Sequence, residues 1–105
     1  MLFRSLVYDE VDVGIGGGVA TKVGRLLREL GQNRQVLVVT HLAQVAAHAN
    51  HHFQVDKQIS ADTTETRVVA LDQKDRVNEI ARMLGSEDIT TQSLAHAGEM
   101  IASAQ

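Results

Sequence analysis

The sequence predicts an α/β chain, with a parallel βαβ core followed by a β-hairpin and two helices. Three observations carry that expectation. Two short apolar runs without alternation, Leu6-Val7-Tyr8 and Val36-Leu37-Val38-Val39-Thr40, read as strands buried on both faces. Between them Val19, Val23, Leu26, Leu27 and Leu30 recur at helical spacing, the pattern of a crossover helix between parallel strands. After them, His52–Lys57 and Thr64–Leu71 read as strands flanking a polar connection, Ser60-Ala61-Asp62-Thr63, which is a hairpin signature.

Taken in order, the first run stops at Asp9-Glu10 and gives way to Val11-Asp12-Val13-Gly14-Ile15-Gly16-Gly17-Gly18, too rich in glycine for a helix interior. The helix from Val19 carries Lys22, Arg25, Arg28 and Glu29 on its wet side, and Gly31 is placed to end it. His41 follows the second run directly. Leu42 to Ala49 reads as a short helix with Leu42, Val45, Ala46 and Ala49 inward. Val77, Ile80, Ala81 and Leu84 form another helical stripe closed by Gly85, and Leu94, Ala97 and Ile101 mark one side of a last helix over roughly residues 90–102.

Composition narrows the function classes. The 105 residues leave room for one domain or part of one, and 44% hydrophobic content supports a core. Ten basic against thirteen acidic residues give a net charge of −3, which argues against holding DNA or an anionic membrane by bulk charge. With no cysteine there is no disulfide framework, zinc–thiolate site or thiol nucleophile, and the composition suits a reducing cytosol. No apolar run approaches the roughly 20 residues of a membrane helix, and the first residues lack the pattern of a signal peptide. Proline is absent, against a usual share of about 5%, which fits short glycine and polar connections.

Parallel neighbours end at the same edge of a sheet, so Asp9-Glu10 and Thr40-His41 are expected to emerge side by side on strands about 4.8 Å apart. Ligands of open α/β sheets bind at that carboxyl edge. Asp9, Glu10 and Asp12 place three carboxylates within four positions, where like charges repel. A divalent cation carrying phosphates would relieve that repulsion, and magnesium favours one or two carboxylates with water and phosphate oxygens. Simple hydration of acids at a strand end is the alternative. His41 likewise reads either as a local cap or as a functional group beside the acidic edge.

These residues resemble a known family. Leu6-Val7-Tyr8-Asp9-Glu10 is similar to the Walker B strand of ABC-type ATPases, and Val38-Val39-Thr40-His41 to the strand and switch histidine of their H-loop. More narrowly, Asp9 to Gly17 followed by Val39-Thr40-His41-Leu42-Ala43-Gln44-Val45-Ala46 resembles the C-terminal end of the RecN family, SMC-like bacterial ATPases of double-strand-break repair. Glu79-Ile80-Ala81-Arg82-Met83-Leu84-Gly85 and Ser93-Leu94-Ala95-His96-Ala97 are similar to that family's two closing helices.

The resemblance implies a P-loop NTPase-like fold, with residues 1–105 forming a C-terminal lobe fragment of an ABC/SMC ATPase head. It implies that Asp9 holds nucleotide-bound Mg2+ through water, that Glu10 orients the attacking water as general base, and that His41 contacts the γ-phosphate. Glu10 and His41 are then the catalytic candidates, with Asp9 and Asp12 as the cofactor-binding ones. Val11 to Gly16 would be the D-loop, although Gly16 stands where many D-loops carry aspartate. ATP and Mg2+ are the implied cofactors of a complete head. The implied partners are the N-terminal part of the same ATPase, a second head in a homodimer, and DNA, in the bacterial cytoplasm on the nucleoid.

No Gly-x-x-x-x-Gly-Lys-Ser/Thr occurs, so the Walker A phosphate cradle is missing, as is the Ser-Gly-Gly-x signature. The 105 residues read as the last part of a longer enzyme, expected to be poorly stable and inactive alone. In this class the Walker A strand lies beside the H-loop strand, so that edge would be bare and the strands near Phe53 and Val68 would lose their link to the core. Two other readings compete. A dinucleotide-binding loop is suggested by Gly14-x-Gly16, but its third glycine is replaced by Val19. A non-catalytic interaction module or remnant is the second. His48, His51 and His52 read as a hydrated surface cluster rather than a metal site, and His96 as a packing or surface residue. Lys22, Arg25 and Arg28 read as a solvated face.

Overall fold

The computed structural model describes residues 5–9, 16–85 and 89–104. Its elements run β1 (Ser5–Asp9), α1 (Gly17–Leu30), β2 (Gln35–Val39), α2 (Ala43–Ala46), β3 (Phe53–Ile59), β4 (Thr64–Ala70), α3 (Gln73–Met83) and α4 (Thr91–Ala104). The expected order of strands and helices is the observed one. Strands β1 and β2 pair in parallel, with Ser5 opposite Gln35 and Asp9 opposite Val39. Strands β3 and β4 pair antiparallel from Phe53–Ala70 to Ile59–Thr64, closed where Ser60 N donates to Thr63 O at 2.8 Å. Among the described residues these are two separate two-stranded sheets.

The core lies among the helices and not between sheet layers. Ala43, Ala46, Ala47, Ile80, Ala81, Ala97 and Ile101 form one buried cluster drawn from α2, α3, α4 and the turn after α2. Val77, Leu84 and Leu94 pack against it, so the stripes read from α3 and α4 are the buried faces. Helix α3 starts cleanly because the Asp72 carboxylate accepts the Asp75 N–H at 2.8 Å. It ends at Gly85, whose φ of +89° is a backbone state that side-chain-bearing residues avoid. A reciprocal pair starts α4: Thr90 N–H donates to Ser93 Oγ, and Ser93 N–H donates to Thr90 Oγ1.

Three expectations need correction. The apolar runs of β1 and β2 are not buried on both faces: Val7 is 66% and Leu37 54% exposed, while Val36 and Val38 on the other face are half-buried. A two-stranded sheet offers no second layer to cover it. Second, α1 buries only part of its large aliphatic stripe: Val23 and Leu27 are half-buried, while Val19, Leu26 and Leu30 are exposed. It packs by Ala20 and Gly24, whose small size lets α1 come close to α2 and His48. Third, the short helix spans only Ala43–Ala46, with buried Ala47 following it and Leu42 and Ala49 only half-buried. Gly31 does end α1, in ordinary right-handed geometry.

Candidate functional site

The carboxyl edge of the parallel pair is where the expected site residues can be located. Because Asp9 lies opposite Val39, the chain leaving β1 and the Thr40–His41 segment leaving β2 depart from the same edge. Asp9 and His41 are both exposed there. Glu10 and Asp12 lie outside the described residues, as does the segment 11–15. Helix α1 resumes at the extended N-cap Gly16.

The His41 segment is held from both ends. Thr40 Oγ1 accepts the Leu42 N–H at 3.0 Å, which sets the turn from β2 into α2. At the far end, the carbonyls of Ala46, Ala47 and Ala49 accept from Arg76 Nη2 at 3.4, 3.0 and 2.6 Å. The His48 carbonyl accepts from Arg28 Nη1 at 2.8 Å. Arg28 is therefore engaged with α2's turn and not simply part of a solvated basic face. Burial, reinforced by the nearby Arg28 charge, holds the Arg76 guanidinium below its ordinary pKa.

The three neighbouring histidines do different things. His48 is half-buried against Gly24, and its Nδ1–H donates to Gln44 O at 2.7 Å. His52 is also half-buried, and among the described residues its Nδ1 has no hydrogen-bond partner. His51 is exposed. They are thus not a uniformly hydrated cluster, and among the described residues no group of three or more His, Asp or Glu is placed to hold a metal ion. Burial pushes the His52 imidazole down, Arg76 adds to that, and Glu79 opposes it. His52 and Arg76 line a small cavity of about 120 Å³ with Asp72 and Gln73. His96 is a surface residue.

Buried Glu79 ties α3 to the hairpin by accepting from Gln54 Nε2 at 2.9 Å. It also pairs with Arg82, whose pKa that hydrogen bond raises. Hydropathy reasoning missed Arg76 and Glu79, since charged residues on an amphipathic helix are assigned to water. The available signal was their position: Arg76 and Glu79 flank Val77 and Ile80 on the inward side of α3.

The parallel βαβ unit, with the hairpin and helices after it, fits a fragment of the P-loop NTPase-type fold. The architecture is similar to that of a chain solved in work on ATP-driven dimerization and DNA-stimulated activation of SMC ATPases. The TM-score is 0.62 at 17% identity, covering 80% of this chain and 50% of that one. No family model matches the sequence.

Sequence comparison is more specific: the chain is RecN-like along nearly its whole length. It is 52% identical over 100 residues to the DNA repair protein RecN of Vibrio cholerae, covering 95% of this chain and 18% of the relative. The RecN of Haemophilus influenzae is 52% identical over 97 residues, 92% of this chain and 17% of that protein. That of Deinococcus radiodurans is 50% identical over 98 residues, 93% and 17%. The matched stretch is their C-terminal portion, so the chain spans under a fifth of the length of these relatives. No described helix is long and apolar enough to cross a membrane.

Proposed function

We propose that residues 1–105 form the C-terminal lobe of an ATP-hydrolysing head that acts in bacterial DNA repair, contributing the water-orienting acid and the phosphate-sensing histidine. One observation carries the reading: the parallel register that sets Asp9 opposite Val39 and so brings the ends of β1 and β2 to one edge. The exposed Asp9 carboxylate there suits magnesium, which takes few protein ligands and completes its shell with water and phosphate oxygens. Asp9 would hold the ion through water, with Asp12 beside the nucleotide. Bound magnesium supplies charge neutralisation on the phosphates.

The chain's own residues then position and stabilise, which is most of what phosphoryl transfer asks of a protein. Glu10 orients the attacking water and accepts its proton. His41, leaving the adjacent strand, donates to the terminal phosphate and keeps it in line with that water. The phosphate cradle comes from the N-terminal part of the same ATPase, and a second head closes the site in a head-to-head homodimer. DNA is the macromolecular partner, and the bacterial cytoplasm the site of action. The names of the RecN relatives and the fold of the SMC neighbour support this assignment.

The test replaces the C-terminal portion of the Vibrio cholerae relative with this chain. The chimaera should hydrolyse ATP in a magnesium-dependent way, and Glu10→Gln and His41→Ala should each lower kcat at least tenfold. The 105 residues alone should show no turnover. Sustained magnesium-dependent hydrolysis by the isolated chain that Glu10→Gln abolishes, or a chimaera indifferent to both substitutions, would overturn the proposal.

A further inference from the structure

Helix α2 is four residues long, too short to hold its own geometry, because the first helical turn fixes several dihedrals for a single hydrogen bond. Its bonds already tighten to the i−3 pattern at the end, where His48 N donates to Val45 O and Ala49 N to Ala46 O, both at 3.1 Å. What fixes the turn comes from outside. Arg76 of α3, 6% exposed, directs Nη2 at the carbonyls of Ala46, Ala47 and Ala49. Arg28 of α1 takes the His48 carbonyl between them. Four successive carbonyls at the end of a helix are thus held by two guanidinium groups from two other helices. A cation at a helix C-terminus is also favoured by the helix dipole.

Only Thr40–Leu42 separates β2 from α2, so the direction in which His41 leaves the sheet depends on where α2 sits. We infer that Arg76 is a positioning residue for His41: by pinning the turn 46–49 to α3 it fixes α2, and through α2 the segment that presents the imidazole at the carboxyl edge. The inference rests on the proposed role of His41, but the clamp itself is independent of nucleotide. Lysine cannot reproduce it fully, since a guanidinium offers a planar fork of donors whereas an ammonium is a point charge on a flexible stem.

Two measurements test the clamp. In the 105-residue chain, Arg76→Lys should speed hydrogen exchange at the amides of Ala47 to Ala49 at least fivefold, shift the His41 ring signals in NMR, and leave Ile80 and Ala81 protected as before. Unchanged exchange at 47–49 together with unchanged His41 signals overturns the inference, as does a uniform loss of protection that includes Ile80. In the ATP-hydrolysing chimaera, Arg76→Met should lower kcat at least fivefold with KM for ATP within twofold, and Arg76→Lys should recover part of the loss. Added to His41→Ala, Arg76→Met should cost nothing further; an equal loss in both backgrounds overturns the inference. A chimaera without turnover defeats the proposed function instead, and the exchange and ring signals still decide the clamp.

Discussion

Substituting Gly24 by alanine tests the close approach of α1 to α2. An added Cβ would lie 2.5 Å from His48 Nδ1 and 3.0 Å from both His48 Cγ and Gln44 O. Heavy atoms rest at about 3.5 Å or more, so the ring must retreat by about 1 Å, and the Gln44 backbone blocks a simple tilt. Overpacking of this kind costs about 1–3 kcal/mol. Displacing the ring also endangers the His48 to Gln44 hydrogen bond, worth about 1 kcal/mol. The gain in helix propensity offsets about 1 kcal/mol, leaving a net loss of about 2 kcal/mol. Gly98 in α4 is the control, because nothing lies within 4 Å of its would-be Cβ. There the same exchange should stabilise by up to about 1 kcal/mol. At about 4–8 °C per kcal/mol for a domain near this size, thermal melts followed by circular dichroism should place the two variants on opposite sides of the parent. Adding His48→Ala to Gly24→Ala should recover part of the loss. A Gly24→Ala protein melting at or above the parent would refute the close packing of α1 on α2.

Ile80 is fully buried in the α2–α3–α4 cluster, so Ile80→Ala should cost about 2–5 kcal/mol and abolish cooperative unfolding in urea. The pKa of His52 is depressed in the folded chain, so the unfolded chain binds more protons between the folded value and about 6.5. Stability should therefore be full above pH 6.5 and fall as the pH drops through that window; His52→Gln should flatten the dependence of Tm on pH between 7.5 and 5. Magnesium-ATP should raise the Tm of the chimaera and leave that of the 105-residue chain unchanged, as read by differential scanning fluorimetry.

Much of this was legible from periodicity. The runs at Leu6 and Val36 gave strands, their separation by a helix gave parallel pairing, and their shared carboxyl edge followed without any family knowledge. The stripes of α3 and α4 also gave their buried faces, because each is covered by a neighbour close in sequence. The face of the parallel pair was not legible, and that of α1 only in part, with Val23 and Leu27 half-buried. Val19, Leu26 and Leu37 announce a surface that favours cover but say nothing about which element covers it. The contact α1 makes runs through Ala20 and Gly24, whose small side chains leave almost no hydropathy signal. Arg76 was hidden for the opposite reason: a charge reads as solvent-facing until its carbonyl partners, 27 to 30 residues earlier, are known. At the carboxyl edge the sequence named four residues, of which Asp9 and His41 are described by the structure; Glu10 and Asp12 fall outside it.

The distribution of apolar side chains links the stability of this chain to its proposed site. The buried cluster is built mostly from alanine, which has little surface to remove from water, with Ile80 and Ile101 the larger members. Besides Val77, Met83, Leu84, Leu94 and Met100, which pack against it, many bulky residues lie elsewhere. On the hairpin, Phe53, Val55, Ile59 and their cross-strand neighbour Val68 share one face by register and are all exposed, while Gln54 on the opposite face reaches Glu79. On the parallel sheet, Val7, Leu37 and Val39 are exposed too. Burying such a side chain fully contributes about 1.5–3 kcal/mol, so covering these two faces would add stability comparable to the whole margin of a small domain. The relatives are more than five times as long as the stretch they share with this chain, which supplies the covering in the proposed head. Val39 and Asp9 are register partners, so material that covers the sheet beside Val39 arrives next to the carboxyl edge. In the proposed head, completion of the core and completion of the phosphate site would be one event, and a ligand that requires the second should stabilise only a chain in which the first has occurred.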